Sequence, residues 1–152
     1  MSYQALLHHS DSAPTLSLRG TMVRILSTAA DSAGASTFEF QATPGFDTGS
    51  HLHATIEEQF YVPDGQMELR AGDDVILGQP GTFVTVPTGV PHGFANRTDA
   101  PARMLLICTP PGHERHFAEL AAILAHEGAP DPDEIAALRA RYDTTQVSAL
   151  EV

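Results

Sequence analysis

From Met22 to Cys108 the chain reads as short strands repeatedly broken by glycine and proline. Between the breaks, apolar and polar side chains alternate. Met22, Arg24 and Leu26 alternate with Val23 and Ile25, and Thr37-Phe38-Glu39-Phe40-Gln41 alternates aromatic with polar. Glu58–Val62, Gln66–Arg70, Val75–Leu77, Phe83–Val86 and Met104–Cys108 repeat the pattern, with Pro63-Asp64-Gly65 and Ala71-Gly72-Asp73-Asp74 as turns. A period of two places alternate residues on one face of a strand. Short strands at intervals of about ten residues specify an all-β sandwich or barrel.

The texture changes at both ends. Residues 1–15 are polar and irregular and read as a flexible arm, with His8-His9 exposed on it. Residues 16–112 form the β domain, and residues 113–152 a C-terminal helical extension. There Phe117, Leu120, Ala121 and Leu124 share one helical face, and Gly128 suits the helix end. Asp131-Pro132-Asp133-Glu134 opens a second helix with a capping residue, a first-turn proline and a capping-box acid. Ile135, Leu138 and Tyr142 form its apolar stripe. Within this extension His113, His116 and His126 read as solvated positions on a helix surface.

Composition removes several function classes. Acids outnumber bases 19 to 8, the formal charge is −11, and every base is arginine. Such a surface repels phosphate backbones and anionic lipid, so neither nucleic acid nor membrane is an expected partner. No helix-turn-helix segment is visible. The single cysteine, Cys108, excludes an internal disulfide framework and sits in an apolar strand as inert core. A reducing, cytoplasmic setting is expected, and the first residues lack the basic start and apolar core of a signal peptide.

The chemistry concentrates between Gly45 and Asn96. His51 and His53 stand at i and i+2, so a strand presents both imidazoles to one side. Two neighbouring imidazoles suit a divalent transition metal. Glu58 follows five residues on, and His92 offers a third imidazole from a later strand. Three neutral nitrogens and one carboxylate hold an ion while leaving coordination positions open. Glu57, one residue earlier, is the competing acid.

Two ordered motifs resemble those of the cupin superfamily. The first is Gly45, His51, His53, Glu58 and Gly65; the second is Gly81, Pro87, Gly89, His92 and Asn96. From Val23 to Tyr142 the chain is similar to small single-domain quercetin 2,3-dioxygenase-like cupins, although Val62-Pro63-Asp64-Gly65 departs from their usual hairpin. Its proline lacks a ladder donor and belongs at a strand end or edge. The resemblance implies a double-stranded β-helix (a jelly-roll or cupin barrel) with two short C-terminal helices. It implies His51, His53, Glu58 and His92 as ligands of one divalent ion (Fe, Mn, Ni, Co, Cu or Zn), with Glu58 as catalytic base. Phe60 and Phe94 share the side of the ligands, and Phe38 and Phe40 form an aromatic wall; these four line a substrate pocket or pack as core.

The implied activity is a dioxygenase acting with dioxygen on a small aromatic or enolic, flavonol-like molecule, in a homodimer. The same site also serves non-redox isomerisation, cyclisation or dehydration. A pocket that binds a small molecule without turnover is the third reading.

Overall fold

The computed structural model describes residues 4–9 and 11–151; the part of the 1–15 arm beyond them is outside the described residues. Two antiparallel sheets face each other. In the first, β1 (Thr15–Leu18), β2 (Thr21–Ser27), β3 (Ser36–Ala42), β10 (Ala102–Thr109), β5 (Glu57–Asp64) and β8 (Phe83–Val86) lie in that order. In the second the order is β11 (Thr145–Gln146), β4 (His51–Leu52), β9 (His92–Ala95), β6 (Met67–Ala71) and β7 (Asp74–Gly78). Burial alternates residue by residue along β3 and β10, so the period-two pattern marks which face is inside. Phe38, Phe40, Phe60, Val62, Met67 and Leu69 fill the space between the sheets with Phe94, Met104 and Leu106.

The two sheets do not close into a barrel, which corrects the barrel expectation. Side chains join them across the core, while the ladders run only within each sheet. At one edge β8 lies between Pro80 and Pro87, which bring no N–H to extend a ladder.

The proline in β5 is accommodated by a bulge. The β5–β10 register pairs Tyr61 with Leu105 but Asp64 with Arg103, so one extra residue sits in the Pro63 stretch near the strand's end. Gly65 then turns the chain with φ +75°, and a Cβ there would stand 2.8 Å from Ala102 Cα. Only glycine meets both demands. Gly93 lies in β9, where a Cβ would clash with the Gly49 carbonyl. That close approach lets the segment before β4 lie directly on β9.

Helix α1 (Glu114–Leu124) and helix α2 (Pro132–Arg141) follow β10. Phe117, Leu120 and Leu124 are buried as the periodicity requires. Gly128 is left-handed at φ +91° but lies beyond the Ala125 cap. Instead Arg19 reaches across to donate to the carbonyls of Leu124, His126 and Gly128. Asp131 caps α2 by accepting the Asp133 N–H. No reciprocal bond from Glu134 forms among the described residues. After α2 the chain returns to the second sheet as β11, which pairs with β4. No helix of the described residues is long and apolar enough to cross a membrane.

Candidate metal centre

His51 and His92 face each other in register across β4 and β9, and His53 follows two residues after His51. Glu58 comes from β5 in the opposite sheet and points inward. The four side chains are buried, and their ligand atoms all lie within 4.8 Å of one another. Glu57, one residue earlier, takes the other face of β5 and is only half-buried, so parity separates the two acids.

The hydrogen bonds around the cluster set its protonation. His53 Nδ1 lies 3.0 Å from the Asp143 carbonyl, and His92 Nδ1 lies 2.8 Å from the Val90 carbonyl. A carbonyl only accepts, so both Nδ1 atoms carry hydrogen. In a neutral ring Nε2 is then a bare lone pair. Yet His53 Nε2 and His92 Nε2 each stand 3.0 Å from an oxygen of Glu58. Lone pair against carboxylate is repulsive unless positive charge lies between them. A cation shared by the Nε2 atoms and the carboxylate removes that repulsion. The tautomers, the buried carboxylate and the three converging nitrogens therefore fit a divalent transition ion; Fe, Mn, Co, Ni, Cu and Zn all accept such donors.

The charges respond accordingly. Burial pushes the Glu58 carboxyl up, but hydrogen bonds and charge from His53 and His92 hold it well below the usual carboxylate range. Burial opposes charge on His53 too, yet the Glu58 hydrogen bond and charge raise it above an ordinary imidazole. His51 is held well below the ordinary value by burial and by the His92 charge. Cys108 is buried beside Glu58, and burial raises its thiol well above the usual range.

An enclosed cavity adjoins the cluster. His51, Glu58, Phe40 and Phe94 form its floor with Phe46 and Leu106, and His113, His116, Phe117, Arg139 and Thr144 cover it. Water centres can occupy about 30 Å³ of it, room for about two molecules. Of the four aromatic pocket candidates, Phe40 and Phe94 are walls. Phe38 packs on Phe117 at 4.9 Å between ring centroids and Phe60 on Phe94 at 5.6 Å, behind the walls as core.

His113 and His116 are not solvated helix positions. They are 5% and 4% exposed, and their rings stack 4.6 Å apart. His113 also lies 5.2 Å from the His53 ring. The reason is periodic: His113 and His116 precede Phe117 and Leu120 by one helical turn each, on the same apolar face. That spacing was the available signal. Burial lowers His113 to about 4 and, with repulsion from His113 if both rings were protonated, holds His116 well below the ordinary value. His126, by contrast, is exposed.

Asp143 supports the centre without any sequence signature. At φ +52° its carboxylate accepts from Thr55 N–H at 2.8 Å and Ala54 N–H at 3.1 Å, while its carbonyl orients His53. No spacing motif links it to His53, 90 residues away. Asp143→Ala keeps that carbonyl but removes the carboxylate that ties its residue to Ala54 and Thr55, so metal affinity is expected to fall by up to about 10-fold, less than the loss of the orienting partner itself. Chelator competition measures this, and unchanged affinity would contradict the role.

Stability should fall in acid. Because His113 is lowered to about 4, the unfolded chain takes that proton first as pH drops below about 6.5. Stability is therefore full above that pH and declines by about 3 kcal/mol towards pH 4 from this residue. His51 and His116 act in the same direction. His53 acts oppositely: its contribution is present below about 6.5 and lost as pH rises through its raised value. Melting between pH 7 and 5 should show a net drop, smaller in His113→Phe; equal drops in both proteins would contradict this account.

Comparison with known proteins agrees with this architecture. Residues 38–108 match the cupin domain family. No curated protein matches the chain in sequence. Among solved structures, the polyketide cyclase RemF from Streptomyces resistomycificus is similar at 26% identity and TM-score 0.61, over 69% of this chain and 79% of that one. A cupin-superfamily sugar phosphate isomerase from Silicibacter pomeroyi is similar at 27% identity and TM-score 0.55, over 60% of each chain. An RmlC-like cupin from Shewanella frigidimarina shares the fold at 15% identity and TM-score 0.65, over 76% of this chain and 99% of that one.

Proposed function

We propose that this chain, which has the cupin fold, is a metal-dependent enzyme that moves a proton on a small enolisable or aromatic molecule, as an isomerase or cyclase does. One observation carries the reading: unpartnered imidazole nitrogens of His113 and His116 are buried in the cover of an enclosed cavity beside the His51, His53, Glu58 and His92 cluster. A bound ion would polarise a carbonyl or enol oxygen there as a Lewis acid. The chain does the rest. His113 and His116 are held neutral by burial, so each ring offers one nitrogen that accepts a proton and one that donates. Glu58 keeps the floor of the cavity anionic. Phe40, Phe46, Phe94 and Phe117 exclude water. The similarity to a cyclase and an isomerase, each above a quarter identity, supports non-redox chemistry.

The second reading is a dioxygenase, favoured by the paired motifs and the aromatic wall. The cavity, with about 30 Å³ open to water centres, favours a small ligand over a three-ring flavonol. Incubation of the metal-loaded protein with 2-oxo acids and 1,3-diketones in D₂O separates the readings. Proton transfer predicts deuterium entering the carbon beside the carbonyl at the same rate with and without air, and a loss of at least about 100-fold in His116→Phe. Oxygen uptake matching substrate loss would establish the dioxygenase reading instead. Binding without exchange or uptake would leave a binding protein.

A further inference from the structure

Arg139 is 3% exposed and borders the cavity, yet among the described residues no carboxylate lies within ion-pair distance of it. Its Nη2 donates to the Thr48 carbonyl, while the donors on Nε and Nη1 have no partner. Asp47, the nearest source of compensating charge, is engaged by Arg70 and Arg97 instead. Burial lowers Arg139 only to about 10, so it is cationic at neutral pH. A buried cation without an anion is costly, and an anionic ligand in the cavity would complete the pair. His116 borders the same cavity, and neither of its ring nitrogens has a partner.

We propose that Arg139 and His116 form an anion-recognition end of the cavity, and that the ligand is a small organic acid. Its carboxylate takes the free donors of Arg139 and an N–H of His116. Its reacting oxygen lies towards Glu58 and the three clustered imidazoles. The inference rests on the proposed function for the orientation of the ligand, but not for the acid preference itself. Apolar walls and the limited room select a molecule of a few heavy atoms over a bulky one.

Calorimetric titration with pyruvate, its uncharged amide and inorganic phosphate tests this in metal-loaded and in chelator-treated protein. Pyruvate should bind at least about tenfold more tightly than the amide in both forms, as a charge-assisted bond to a buried guanidinium requires. Arg139→Met should shrink that ratio below about threefold without changing metal content, and His116→Phe should shrink it in part. Equal binding of acid and amide by the wild-type protein overturns the proposal and needs no variant. Retention of the full ratio in a folded Arg139→Met protein overturns it too. Phosphate binding as tightly as pyruvate overturns the carboxylate assignment. Loss of metal binding with the acid preference intact would sink the metal reading and leave this one standing.

Discussion

Alanine at position 92 empties the metal centre while leaving the fold in place. His92 contributes one of three converging nitrogens, and its Nδ1 is already committed to the Val90 carbonyl, so no neighbour substitutes for its Nε2. Losing an inner donor should cost more than losing an orienting partner, which typically costs 10- to 100-fold, so a drop of more than about 100-fold is expected. The fold survives because β9 is held by backbone pairing to β4 and β6 and by Phe94, none of which needs the imidazole. Metal analysis after dialysis should give about one ion per chain for the wild type and close to none for the variant. His126→Ala, at an exposed position, should retain the full complement. Equal loading of His92→Ala and wild type would remove His92 from the ligand set.

Phe40→Ala is expected to be the most destabilising single truncation among the cavity walls. Phe40 is fully buried and touches three other rings, with centroids 5.1 Å from Phe94, 5.4 Å from Phe117 and 6.3 Å from Phe46. It thereby ties the first sheet to the second and to α1. Removing it leaves a void whose walls are already fixed by neighbours, at a cost of about 3–5 kcal/mol. For a chain of this size that is a melting temperature lower by roughly 10 °C. Tyr61→Ala, one residue from Phe60 but 38% exposed, should change stability by only about 0.5 kcal/mol. Comparable losses for the two would mean that Phe40 does not hold the layers together.

These expectations also mark what a one-dimensional reading can reach. Alternation in Ser36–Ala42 and Ala102–Thr109 identified the buried face of both strands, because the period of two is local. The i, i+2 spacing of His51 and His53 and the parity of Glu58 against Glu57 were legible for the same reason. Sheet closure was not, because it depends on whether edge strands meet, a long-range matter that motif spacing does not encode. The polarity of His113 and His116 points to solvent, but their one-turn offset from Phe117 and Leu120 places them on the buried face. Arg139 and Asp143 reach the centre only because β11 brings the C-terminal segment back beside β4. A two-residue strand at such separation leaves no periodic trace.

The central claim is that His51, His53, Glu58 and His92 hold one ion together. X-ray absorption of the zinc-loaded protein reads that donor set directly. Three imidazole nitrogens and one carboxylate oxygen at about 2.0–2.2 Å are the expected shell. A shell containing sulfur, or fewer than three imidazoles, would contradict it.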